Sequence, residues 1–421
     1  MQTAPRPGIF YGWVIVATAL ATIALGMGLM FSLGIFMEPL ENALGWSRGQ
    51  IAQANLYGWM AFGIFSFTFG LLSDRLGTRR VVRMGTAILG CGMLGLSQMS
   101  HLWHFYLLYG LLVGGAIGAF TVPLTSMITR WFVKHRGLVV ALANCGIGVG
   151  GALIAPLSRS LIMSVGWRAT FFFYGLLVWA VVLPMTLLLR DRPQDMGLLP
   201  YGETSAETTA APAMAVAPYT FTQVLTIPAF WIIALVHFFC CAAHSGPIFH
   251  MVSAVIDAGV DKLAAATVFA VSSFASLFGR IGTGLLVDRL GSKNILVTWL
   301  MMQATAVLLY LFVSNFVGFA TLGLFFGISY GGVMPLYAVV ARDYFGARAL
   351  GASYGAIFGL SCLGMGLGAW LGGRLFDSFG TYTGLYVLSC LFGSAGALLA
   401  FWLRAPQRQY PVAVITQTAR A

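Results

Sequence analysis

The sequence predicts an all-α membrane protein of twelve transmembrane helices, arranged as two pseudo-symmetric six-helix bundles. Three observations predict it: an apolar, charge-poor composition, a one-sided distribution of basic residues, and a loop motif that occurs twice. Of 421 residues, 59% are hydrophobic and 8% charged, against roughly half and a quarter in a soluble domain. So few charges cannot cover a chain of this size in water; it needs lipid around it.

A membrane-crossing helix needs about 20 mostly apolar residues. Twelve such runs lie between charge clusters and turn signals: 11–37, 50–73, 81–99, 104–130, 137–163 and 168–189, then 228–255, 263–287, 293–313, 315–341, 349–376 and 380–403. They are continuous and rich in Gly, Ala and Leu, without the ten-residue alternation of a membrane barrel. The opening MQTAPRPGIF is polar and leads into the first run with no small-residue cleavage site, so that run reads as a span and not as a signal peptide.

Basic residues orient the spans, because cytoplasmic loops carry the excess of Lys and Arg. With a cytoplasmic N-terminus, 17 of the 23 fall on that side and 5 (Arg48, Arg159, Arg168, Lys262, Arg374) on the other, with Arg280 inside the membrane. Both termini are therefore expected in the cytoplasm. The net charge of +11 follows from topology and implies no nucleic-acid partner. The six cysteines all lie in apolar stretches without CxxC spacing, and read as packing residues, not a metal or disulfide set.

The run Gly70-Leu71-Leu72-Ser73-Asp74-Arg75-Leu76-Gly77 returns as Gly284-Leu285-Leu286-Val287-Asp288-Arg289-Leu290-Gly291, 214 residues later. Both copies lie between the second and third spans of their half, which makes the halves repeats related by an axis along the membrane normal. Gly70 and Gly284 are suited to close helix approach, Gly77 and Gly291 to a tight turn, and Asp74 and Asp288 to a helix N-terminus or the adjacent Arg. The expected organisation is a bundle over 1–190, a cytoplasmic linker over 191–226 with a low-complexity run from Glu203 to Pro218, a second bundle over 227–405 and a tail over 406–421.

Two DRLG loops in a twelve-span chain resemble the pattern of the major facilitator superfamily. The resemblance implies alternating access, with Gly70, Asp74, Arg75, Gly77, Gly284, Asp288, Arg289 and Gly291 as a gating motif. Further segments resemble the monocarboxylate transporter family, its bacterial members and the related oxalate/formate antiporters: Tyr11-Gly12-Trp13-Val14, Arg130 to Leu138, Cys145 to Gly150, Ala155-Pro156-Leu157, Gly166-Trp167-Arg168 and Arg192 to Pro200. That likeness implies a bacterial inner-membrane carrier.

Arg280 lies eight residues before Asp288, about 12 Å into the membrane at the helical rise. An arginine there is costly unless it lines a cavity or binds something, and its planar fork suits a carboxylate. Monocarboxylate transporters have an arginine in this span for the substrate carboxylate, and the resemblance gives Arg280 that role. Two family features are missing: Ser276 stands where animal members have a proton-coupling aspartate, and Phe31 where they have a lysine. No second cation lies between Arg348 and Arg374, and one fixed charge suits a monoanion.

Proton coupling then needs another group, and histidine titrates near neutrality. Of His237, His244 and His250 in the seventh span, His244 is the first candidate and His250 the second. His244 corresponds to Met30 by the 214-residue offset, next to the family's site position. Asn144, Tyr330, Phe358 and Cys362 complete the expected pocket as two polar groups and an apolar wall. The expected partners are a small organic anion, a proton and lipid, with the chain a monomer. No Ser/His/Asp or HExxH spacing points to an enzyme, and no cofactor or metal is implied. The expected function is proton-coupled symport of a lactate-, pyruvate- or acetate-like monocarboxylate. Exchange of organic anions without net proton movement is the alternative within transport, and a non-transporting carboxylate sensor the alternative outside it.

Overall fold

A computed structural model describes residues 10–202 and 221–403, and the backbone alone at Arg136, Asp288 and 346–352. The expected run Glu203 to Pro218, the first nine residues and the tail over 406–421 lie outside the described residues. Ten helices among those described are long and apolar enough to cross a membrane. One of them, Gly137–Met185, breaks at Gly166, and Thr78–Ser97 is a further pass with a basic first turn. The first half therefore holds α1 (Gly12–Leu44), α2 (Arg48–Leu76), α3 (Thr78–Ser97), α4 (Leu102–Trp131), α5 (137–165) and α6 (167–185). The second holds α7 (Pro228–Asp257), α8 (Lys262–Leu290), α9 (Ser292–Phe312), α10 (Phe316–Phe345), α11 (Ser353–Phe379) and α12 (Thr383–Trp402). Outside the helices, Phe132 makes an isolated bridge with Tyr201, and Pro193–Met196 forms a short 3-10 turn.

The turns are built from residues that tolerate them. Gly77 and Gly291 sit at φ 86° and 79°, so both loop motifs break the chain at the same place between two helices. Gly166 at φ 81° reverses α5 into α6. Two residues on, Arg168 donates to the carbonyls of Ser97 and Met99 at 3.2 and 2.8 Å, satisfying the frayed end of α3. Asp261 caps α8 through Leu263 and Ala264 N–H, and Asn315 caps α10 through Gly318 N–H, each meeting otherwise orphaned donors.

Asp74 does something other than cap. Asp74 pairs with Arg130 of α4 at 2.9 Å, and the N-terminus of α3 is met by Asp191, which accepts from Thr78 N–H at 2.6 Å and Arg79 N–H at 3.2 Å. Arg75 and Arg289 are exposed, and the side chain of Asp288 lies outside the described residues. The close approach expected at Gly70 and Gly284 is also absent. A Cβ at Gly70 would only touch Val122 at 3.4 Å, and at Gly284 it would meet nothing within 4 Å.

Close approach belongs instead to the glycine clusters of α5 and α11. A Cβ at Gly150 would strike the carbonyl of Ala24 in α1, and one at Gly368 that of Ala242 in α7. Gly148 faces Ser273 and Ser276 of α8, and Gly366 faces Leu56 of α2. Each cluster thus packs its helix against its own bundle on one side and the other bundle on the next. The halves meet along two seams, α5–α8 and α2–α11, with α1 against α7 between them.

Asp191→Ala should remove the cap of α3 and lower stability by about 1 kcal/mol. Thermal unfolding of the detergent-solubilised chain checks this; Asp191→Asn, which still accepts, should lose less.

Candidate functional site

Arg280 emerges on the α5–α8 seam, half-buried. Its Nη1 donates to Ser276 Oγ at 2.7 Å, and that hydroxyl donates in turn to the Ser273 carbonyl at 2.7 Å. Ser276 therefore orients the guanidinium without neutralising it. Among the described residues no carboxylate lies within ion-pair distance of Arg280. Among the described residues, one of its five N–H donors has a hydrogen-bond partner.

The aromatic face of Tyr330, from α10, lies 6.0 Å from the guanidinium carbon. On its other side, the Tyr330 and His244 rings are 5.7 Å apart. Three expected residues on α8, α10 and α7 are thus joined in one line of contacts, Arg280 to Tyr330 to His244. His244 is buried, with Nδ1 3.8 Å from Cys240 Sγ. Cys145, at the break between the two segments of α5, is within electrostatic reach of Arg280. Its neighbour Asn144 donates to its own helix, at Val140 O, 2.9 Å away, which leaves the amide oxygen free of that bond.

Phe358 and Cys362 are not in this line. Both lie on the α2–α11 seam, Phe358 at 5.9 Å from Phe62 and Cys362 against Gly63. Their spacing on one helix was legible, but which seam that helix lines was not. Phe31 lies 5.9 Å from Trp59 and helps enclose a cavity of about 10 Å³ between the halves, with Asn55 and Ser245 as its polar liners. That is room for about one water molecule.

The face opposite the basic loops is closed by charge. Glu38, at the end of α1, takes Arg159 of α5 at 2.9 Å and Lys262 of α8 at 2.6 Å. Arg48, in the first turn of α2, forks onto Asp257 at the end of α7, with Nη2–Oδ1 at 3.0 Å, and also reaches Glu41 at 3.1 Å and Tyr382 Oη at 2.7 Å. Asp377 of α11 accepts from Ser47 Oγ at 2.7 Å and Gly49 N–H at 3.0 Å. Every hydrogen bond and ion pair between the halves, among the described residues, lies at this face. The structure is shut there.

His250 lies behind this closure and away from Arg280. It is fully buried and bonded to Tyr382 and to the Ala369 carbonyl. The closing residues had one visible sign in the sequence: Arg48 and Lys262 are 214 residues apart, the period of the loop repeat.

A family model described as Major Facilitator Superfamily matches residues 17–369 and 283–416. Monocarboxylate transporter 13 of Rattus norvegicus is 27% identical over 409 residues, covering 94% of this chain and 89% of that protein. The MFS-type transporter YhjX of Escherichia coli is 25% identical, covering 84% and 85%. Among solved structures, a bacterial homolog to the human lysosomal transporter Spinster, in an inward-facing and unoccupied conformation, has a TM-score of 0.71. It is 17% identical, with 94% of this chain and 97% of that one covered.

Glu38→Gln should be far more damaging than Lys262→Gln. The first leaves Arg159, 2% exposed, without its counter-charge, a loss of about 3–5 kcal/mol. The second removes a lysine that is 48% exposed, worth about 1 kcal/mol or less. Melting temperatures of the two variants should rank accordingly.

Proposed function

The chain belongs to the major facilitator superfamily, and on that premise we propose that it is a secondary transporter of a small monocarboxylate, moved with a proton by alternating access. The observation that carries this reading is Arg280: a cation inside the membrane, held in position by Ser276 and carrying no counter-charge among the described residues. A carboxylate is the ligand that uses its remaining paired donors and supplies the missing charge. One such cation balances one carboxylate, so the substrate is a lactate-, pyruvate- or acetate-like monoanion. Tyr330 contacts the substrate beside the guanidinium, and Asn144 lends its amide from α5. Relatives named as monocarboxylate transporters support the same reading.

In this reading the basic face is cytoplasmic, the membrane is the bacterial cell membrane, and the carrier works as a monomer. The closed face is then the outer one, and Arg280 is reached from the cytoplasm in this state. The paired loop motifs act on the cytoplasmic side, Asp74 through its pair with Arg130. Phe358 and Cys362 form the apolar wall on the far seam. His244, in line with Tyr330 and Arg280, carries the coupled proton. That Ser276, and among the described residues no acid, stands beside Arg280 favours a second reading, exchange of organic anions without net proton movement. Acidification of the lumen of empty proteoliposomes during uptake distinguishes symport from exchange.

Arg280→Gln and Arg280→Lys should each reduce uptake of labelled lactate, pyruvate or acetate into proteoliposomes by at least about a hundredfold, since even lysine lacks the planar fork. Wild-type uptake by either variant would overturn the assignment. His244→Gln should reduce accumulation driven by a pH gradient more than it reduces exchange at equal pH; equal reductions would remove the proton from His244.

A further inference from the structure

We infer that His250 is a protonation switch for the outer closure, with Tyr382 as the positioning residue that connects it to Arg48. The inference rests on the orientation and proton coupling proposed above, but not on the role of Arg280. It follows from the direction in which hydrogen bonds must run. His250 Nε2 lies 2.9 Å from the Ala369 carbonyl, which can only accept, so Nε2 carries hydrogen. Arg48 Nη1, which can only donate, lies 2.7 Å from Tyr382 Oη. Tyr382 therefore accepts from Arg48 and has its own O–H to give. Its neighbours are His250 Nδ1 at 3.2 Å and the thioether of Met37 at 3.9 Å, and the imidazole nitrogen is much the better acceptor.

The donors thus run one way: Arg48 to Tyr382, Tyr382 to His250, His250 to Ala369. Only neutral histidine completes that chain, because Nδ1 must offer a lone pair. When outer water protonates Nδ1, both ring nitrogens become donors and the Tyr382 hydrogen is left facing the Met37 sulfur. A second positive charge also joins the cluster, one hydroxyl away from the guanidinium that holds Asp257 and Glu41. The other titratable and charged groups around this chain are Asp377 on α11, bonded to Ser47 and Gly49, Arg374 one turn earlier against Gly49, and Tyr386 on α12. No carboxylate among the described residues lies within ion-pair distance of His250 to hold the imidazolium. Protonated His250 favours the open outer face, and its deprotonation permits closure. Acid outside therefore draws the empty carrier toward the state that loads from outside.

Hydrogen exchange of the full-length chain in lipid nanodiscs, without carboxylate, tests this. Rates for the segments covering 38–54 and 253–262 are compared at pH 5.5 and 7.5 after correction for intrinsic exchange. In the wild type, acid should speed exchange there about tenfold or more. In His250→Gln the response should fall below about twofold. Tyr382→Phe, which keeps the ring and cuts the relay, should lose the response too. An acid response that survives in either folded variant would overturn the switch and assign the effect to Glu38, Glu41, Asp257 or Asp377. Arg280→Gln should keep the response while losing uptake, so failure of the carboxylate reading and failure of this one are told apart.

Discussion

A charge placed in hydrocarbon needs an opposite charge, a dipole or water, and this constraint organises the molecule. The chain has 12 acidic residues against 23 basic ones, so compensation is scarce and its placement is informative. Arg159 and Arg48, both nearly buried, are matched by Glu38, Glu41 and Asp257 at one face. Asp74 is matched by Arg130 at the other. Arg280, between them, has a serine hydroxyl and, among the described residues, no carboxylate. Pairing at the ends and its absence in the middle is what a carrier of anions requires, since a site already neutralised would have no attraction left for its cargo.

The second constraint is steric. In lipid the helices gain little from burying apolar surface against each other, and packing depends on how closely backbones approach. Gly146 to Gly151 and Gly364 to Gly368 supply that approach at equivalent places in the two halves. α5 and α11 each contact their own bundle through one set of glycines and the other bundle through the next, so both seams are built in part on backbone. Bundles joined in this way can rock about their seams with few side chains to disentangle, while the contacts within each bundle persist.

Much of the architecture was legible because its signals are local. The loop repeat, the one-sided charge and the lone Arg280 each sit within a short window, and the helix breaks at Gly77, Gly166 and Gly291 fall where glycine is needed. The closure was not legible in the same way. Arg48 meets Asp257 at a separation of 209 residues, and Tyr382 at 334, so no window contains both partners. Phe358 and Cys362 show the same limit, since helical spacing assigns residues to a face without naming the helix opposite. The partner of Asp74 and the cap of α3 also eluded the sequence, because Arg130 and Asp191 reach these places from 56 and 113 residues away.

The two clusters of the closed face are related by the repeat and yet unequal. In each, a cation from the first turn of a half's second helix reaches the acid ending the first helix of the other half: Arg48 to Asp257, Lys262 to Glu38. One is reinforced by a buried arginine of α5, the other by a tyrosine that leads to a histidine. If the two clusters had to be broken in a dry interior, at about 3–5 kcal/mol for a buried pair, the closed state would be a trap. In the alternating access proposed above, opening does not do that; it separates the partners into water, where each ion recovers the hydration it gave up. A buried pair and its hydrated ions differ by far less than either differs from a lone buried ion. The two states can therefore lie close in energy, within the roughly 5.5 kcal/mol that carries a two-state population from one extreme to the other. Near that balance, the charge of one proton at the tyrosine-linked cluster is enough to decide which face is open.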